Sequence, residues 1–119
     1  MTIRLYSWDD ASAPSLTGAS NSIITLLDAV LVNGYGSQTA AGWTKPYTGT
    51  GKAAYKNATL GHYVRIVDNG DTNRSFRFRG YITMSDVDTG TDPFPSVAQM
   101  AGDGLFYVKS QSSNSTAHP

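Results

Sequence analysis

Residues 86–92, Asp86-Val-Asp88-Thr-Gly90-Thr-Asp92, carry carboxylates at alternate positions with a glycine in the turn. Calcium loops use such an arrangement, because carboxylate and backbone oxygens can converge on one hard cation. The match is weak: the glycine falls at the fifth place instead of the sixth, and the chain has no glutamate to close the site as a bidentate ligand. Aspartates also open turns through their own backbone without any metal. Asp86, Asp88 and Asp92 are therefore weak candidates, and the expectation is a turn with no metal and no cofactor.

Other chemistries find fewer residues. Arg65, Arg74, Arg77 and Arg79, with Tyr63 and Tyr81 between them, could share one face of a hairpin and stack on single-stranded nucleic acid. A solvated or partner-facing sheet surface explains the same pattern. The histidines are His62, opening a strand, and His118, in a polar run. There is no Gly-x-Ser-x-Gly elbow, no His-Glu-x-x-His and no phosphate-binding glycine loop. Asp9 and Asp10 adjoin on a turn, where side chains of neighbours point apart. No acid–base pair emerges, and the sequence predicts no enzyme. Tyr6, Trp8, Tyr35, Trp43, Tyr47 and Tyr55 form a polar-aromatic set suited to a sugar face or a protein interface. Interface is the expectation, with Trp8, Tyr35, Trp43, Tyr47 and, in the loop at 86–95, Phe94 as the contacts.

The elements that must position these residues are legible by periodicity. Ile23, Ile24, Leu27, Val30 and Leu31 recur at spacings of three and four, which predicts an amphipathic helix over 21–32. Ser20, Asn21 or Ser22 can cap it, Asn33-Gly34 can stop it, and Asp28 falls off the apolar stripe. Residues 2–7 alternate and predict a strand. Segments 42–48 and 52–56 predict a hairpin, with Pro46 marking an edge. Residues 62–67 and 75–84 predict an antiparallel hairpin about Asn69-Gly70. In its second strand Phe76, Phe78, Gly80, Ile82 and Met84 alternate with Arg77, Arg79, Tyr81 and Thr83. That implies aromatics against the helix and arginines on a wet face. Residues 85–104 read as loop, 105–108 as a last strand, and 110–119 as a polar tail or a connection to further chain.

The whole is an expected α+β domain over 1–109: one amphipathic helix on a small antiparallel sheet. At 119 residues the chain suits one core. Nine Lys+Arg balance nine Asp, so no long-range field draws it to nucleic acid or an anionic membrane. There is no cysteine, which removes disulfides and thiolate chemistry. The longest apolar run, 23–32, is broken by Thr25 and Asp28 and is far short of the ~18–20 residues a span needs. The N-terminus lacks the pattern of a signal peptide, so a soluble protein made without export is expected. Few lysines and no glutamate, with much Ser, Thr, Gly and Asn, suit a subunit whose faces are covered by neighbours.

Several segments carry a resemblance. They are Ala13-Pro-Ser-Leu16-Thr-Gly18, Leu27-Asp-Ala-Val-Leu-Val-Asn-Gly34-Tyr-Gly36 and Ala41-Gly-Trp43-Thr-Lys45, then Tyr55, Gly80-Tyr81, Thr83-Met84, Asp86-Val-Asp-Thr-Gly90 and Phe94-Pro95. In this order, over most of the chain, it resembles a family of tailed-bacteriophage virion structural proteins of uncertain role. The resemblance implies a head, neck or tail subunit in the virion, made in the host cytoplasm. Its partners would be copies of itself and other virion proteins, as a homo-oligomer. It implies no catalytic residue. Members of that family look longer, so the chain is expected to be the N-terminal portion of a longer member. The alternative expectation is a host-surface glycan-binding module of the tail, using the same aromatics.

Overall fold

In a computed structural model, residues 3–69 and 75–108 are described. The fold is α+β, one helix of 12 residues packed on a six-stranded antiparallel sheet. Helix α1 (Ser22–Leu27) continues without a break as a π-helical turn over Asp28–Asn33. The strands are β1 (Thr44–Gly49), β2 (Lys52–Lys56), β3 (Tyr63–Val67), β4 (Ser75–Asp86), β5 (Thr89–Phe94) and β6 (Leu105–Val108). The first five lie in chain order. Arg77 to Tyr81 of β4 pair with β3, while Ser75–Phe78 pair with β6 and Gly80–Asp86 with β5. β5 and β6 therefore share the other edge of β4, end to end.

The helix carries its predicted stripe to one sheet face. Ile23, Ile24, Ala53, Tyr55 and Ile66 are buried there, with Leu27, Leu31, Phe76 and Phe78 packed against them. The expected meeting of Phe76 and Phe78 with the helix is thus observed. The wide final turn shifts the stripe: Leu26 and Val32 join this core, while Val30 faces a separate cavity. Gly34, at φ 79°, ends the helix as expected, and its amide donates to Ala29 O across five residues. The amides of Ala41, Gly42 and Trp43 then satisfy the last carbonyls, Val30 O and Leu31 O.

The cap is not where local sequence puts it. Asn21 lies in the left-handed region with no side-chain cap bond. The fully buried Asp68, at the end of β3, accepts from the Ile23 amide at 3.0 Å. Its carbonyl also takes the Asn21 amide and the Ser20 hydroxyl. A carboxylate 45 residues away thus supplies the helix cap and ties the helix to the sheet.

Three further expectations are corrected. Residues 3–7 are in no strand: among the described residues Ile3, Arg4 and Leu5 form no ladder hydrogen bond, and Tyr6 and Ser7 are held by Thr39 and Asp10 instead. Residues 85–104 are not all loop: β4 runs to Asp86 and β5 pairs back along it. Thr89–Phe94 has no apolar alternation, and backbone pairing alone makes it a strand. Lastly, the arginine face is not wet. Arg65 is buried and Arg79 is 3% exposed, because the hairpin β4–β5 curls back over that face and residues 100–103 cross it. The Tyr47 hydroxyl donates to Met84 O at 3.0 Å, Lys52 pairs with Asp88 at 2.9 Å, and Val87 lies against Gly49. Pro46, as expected, sits on an edge strand, within the register shift between Thr44 and Tyr47. Gly70 of the expected Asn69-Gly70 turn, Arg74 and the tail with His118 lie outside the described residues. Among the described residues no helix is long and apolar enough to cross a membrane.

Candidate functional site

Several titratable residues are drawn into internal networks. The Arg65 guanidinium donates to Val87 O at 2.8 Å, to Asp88 at 2.7 Å and to Asp103 at 3.0 Å. Arg79 donates to the carbonyls of Gly102 and Met100, and its Nε has no hydrogen-bond partner among the described residues. Both arginines hold loops onto the sheet, with their guanidinium groups turned to carbonyl and carboxylate oxygens. Asp88 is engaged by Lys52 and Arg65, and these hydrogen bonds hold its carboxyl below the usual range. Asp86 turns an oxygen to the Val87 amide at 2.5 Å, and Asp92, exposed, sits at φ 51°. Among the described residues no group of three His, Cys, Asp or Glu could hold a metal ion.

A third network lies under the helix. The Tyr55 hydroxyl sits 2.8 Å from Asp28 Oδ1 and 3.2 Å from Ile24 O, and Lys45 pairs with Asp28 Oδ2 at 2.8 Å. Burial, with the Asp28 carboxylate beside it, pushes the Tyr55 hydroxyl far above its ordinary range. Asp28, read in the sequence as merely off the stripe, is thus the joint between helix, β1 and β2.

Four of the six aromatics in the set line two grooves, Tyr6, Trp8 and Tyr35 in one and Trp43 in the other, while Tyr47 and Tyr55 line neither. The first, about 360 Å³, runs between the N-terminal segment and the helix, lined by Tyr6, Trp8, Pro14, Leu16, Val30 and Tyr35 among others. Asp10 fastens it: its Oδ2 accepts from the Tyr35 hydroxyl at 2.7 Å, the Ser7 amide at 2.9 Å and Gln38 Nε2 at 3.0 Å. These donors, the Ser7 amide foremost, hold Asp10 below the ordinary 3.8, while burial and Asp10 push Tyr35 up to about 12. Tyr6 donates to Thr39 O at 2.6 Å and leans on Tyr35, ring centres 6.1 Å apart.

The second groove, about 380 Å³, opens where β3 begins and β5 ends, beside the middle of β4, lined by Trp43, Leu60, His62, Val64, Phe78 and Phe94 with Asn57, Tyr63 and Gly80. No lysine, arginine or aspartate lines it. Phe94 lies across Gly80, where a Cβ would overlap the ring, so glycine is required for the ring to sit there. The His62 imidazole forms no hydrogen bond or ion pair with another described residue.

The five expected contacts therefore have different surroundings. Trp8 is 51% exposed and Phe94 49%. Trp43 presents one side to the second groove and packs against the core with the other. Tyr35 serves Asp10, and Tyr47 stacks on Tyr63 at 6.2 Å beneath Met84 O. Sequence reasoning missed Leu60 as a contact, exposed on the rim of the second groove; Ile3, Leu5 and Phe106 are exposed elsewhere. Leu60 carries no periodic signal in its Asn57-to-Gly61 turn, so only its apolar type in a polar loop could have drawn notice.

Compared with known proteins, the chain matches no family model, no curated protein and no solved structure.

Proposed function

We propose that this protein is a structural subunit of a tailed-phage particle, located in the virion and without catalytic activity, that works by holding copies of itself and other virion proteins. The observation that carries the reading is the pair of uncharged, aromatic-lined grooves with exposed Trp8, Leu60 and Phe94 on their rims. Exposed apolar surface beside shaped concavities is characteristic of protein contact sites. The zero net charge and the resemblance to virion proteins support the same reading. The networks of Arg65, Asp28 and Asp10 are explained by folding alone and leave no acid–base pair to assign.

A second reading is a glycan-binding module of the tail, which the second groove favours by placing Asn57 and His62 beside the Trp43 and Tyr63 rings. A cryo-electron microscopy map of intact particles separates the two. Density on the capsid lattice, neck or tail tube is the expected result. Density confined to a distal fibre tip would favour glycan binding, and absence from the particle would overturn both.

A further inference from the structure

We propose that residues 3–6 are a β-strand donated to a second copy of this chain, with Ile3 and Leu5 filling that copy's groove between Trp43, Leu60 and Phe94. The donor half rests on a conflict between sequence and structure. Ile3 and Leu5 alternate with Arg4 and Tyr6, the pattern of a strand with one buried face. Yet in the single chain Ile3 is 87% and Leu5 79% exposed, and Ile3, Arg4 and Leu5 form no hydrogen bond with another described residue. Sequences that specify a fold agree across levels, and places where they do not are expected to be functional. An extended segment left unpaired among the described residues suits addition to another copy's sheet edge.

The segment does not hang from a loose base. Tyr6 is held on Thr39 O, and the Ser7 amide on Asp10. Residues 3–5 therefore leave the surface from a fixed point, which lowers the ordering cost of docking.

The acceptor half is the second groove. Its lining carries no formal charge, which complements the apolar side of the segment, and Arg4 on the opposite side stays in water. The cavity of about 380 Å³ has room for two aliphatic side chains. It adjoins Phe94 at the end of β5, whose described strand partner is β4 alone. The free edge of β5 can pair with the donated backbone, the usual route of strand addition.

The occupant is a second copy because each chain carries both halves, and a neutral molecule raises no charge barrier to its own kind. Donor and acceptor are different surfaces, so reciprocal exchange closes a two-fold dimer and one-way donation builds a ring or a line. This deepens the assembly reading, and the two can fail separately.

The chain has no cysteine, so single cysteines report cleanly. Leu5→Cys and Leu60→Cys chains, mixed and oxidised, are expected to give a disulfide between chains. A control mixture of Leu60→Cys with Ser12→Cys is expected to give none. In sedimentation of the full chain, wild type is expected to self-associate. The I3D/L5D double variant should weaken that on the order of tenfold or more with an unchanged circular dichroism spectrum. A wild-type monomer at every concentration tested, an unaffected variant, or equal cross-linking to Ser12→Cys would overturn the proposal. Strand donation by a protein missing from the particle would overturn the assembly reading alone. A virion subunit that fails these tests would overturn strand donation alone.

Discussion

The hydroxyl of Tyr55 shows how much of this molecule is decided by single polar atoms. It is buried between the helix and β2, shared between Asp28 and Ile24 O, with Lys45 on the far oxygen of Asp28. Tyr55→Phe keeps the ring but leaves a half-buried carboxylate short of one donor. We expect a loss of about 1–3 kcal/mol in denaturant unfolding at unchanged m-value. Asp10 and Tyr35 give a prediction in pH. The carboxyl of Asp10 titrates below its ordinary 3.8 in the folded protein, so its contribution is complete above that value and is lost as pH falls through the lowered one. Tyr35 is raised from 10.0 to about 12, so its contribution holds below pH 10 and fades from there to about 12. Trp8 fluorescence, followed against Trp8→Phe, should change at both extremes and be flat between. An alkaline change that persists in Tyr35→Phe would contradict the assignment. None of these partnerships was legible in the sequence. Asp28 reads as a polar residue off a stripe, and its partners lie 17 and 27 residues away. The period-two pattern did put Arg65, Arg77 and Arg79 on one face. It could not show that face covered, since the cover comes from Val87 and carbonyls at 100 and 102, which have no apolar pattern.

The elements divide by how their stability arises. The helix and the strands β2, β3 and β4 carry apolar side chains at their own periods and were legible for that reason. β5 was not, because Thr-Gly-Thr-Asp-Pro-Phe is held by pairing with β4 and by one ring over Gly80. Gly80→Ala should therefore cost about 1–3 kcal/mol by forcing Phe94 off the sheet. In Phe94→Ala the same change should cost far less, and a thermodynamic cycle of the four proteins measures the coupling. Equal costs in both backgrounds would show that the ring does not rest on Gly80. The helix start makes a similar point. Three local residues could have capped it, and the cap is instead Asp68 from the sheet. Asp68→Ala is expected to cost about 1–3 kcal/mol, since it strips the Ile23 amide of its acceptor in a buried site. Ser20→Ala should cost less, as its hydroxyl donates only to the Asp68 carbonyl. A reversal of that order would mean the helix is capped locally after all.

At the scale of the whole molecule, a sheet with the helix on one face and its own curled hairpin on the other leaves both grooves near its margins. The α+β class was legible from the count and period of the elements. The grooves were not, because each joins residues from distant segments: Trp8 meets Val30 and Tyr35 in one, Trp43 meets Leu60 and Phe94 in the other. This also decides how an interface should be probed. Trp43 packs into the core, so alanine there would confound assembly with folding. Leu60 is exposed, so Leu60→Asp should leave thermal unfolding within about 0.5 kcal/mol of wild type and still reduce incorporation into particles. The most direct test of the central claim is quantitative mass spectrometry of gradient-purified tailed-phage particles whose genome carries this sequence. A structural subunit predicts many copies per particle, in a fixed ratio to the major capsid or tail protein across preparations. The protein abundant in the lysate but missing from the purified particles would contradict the account.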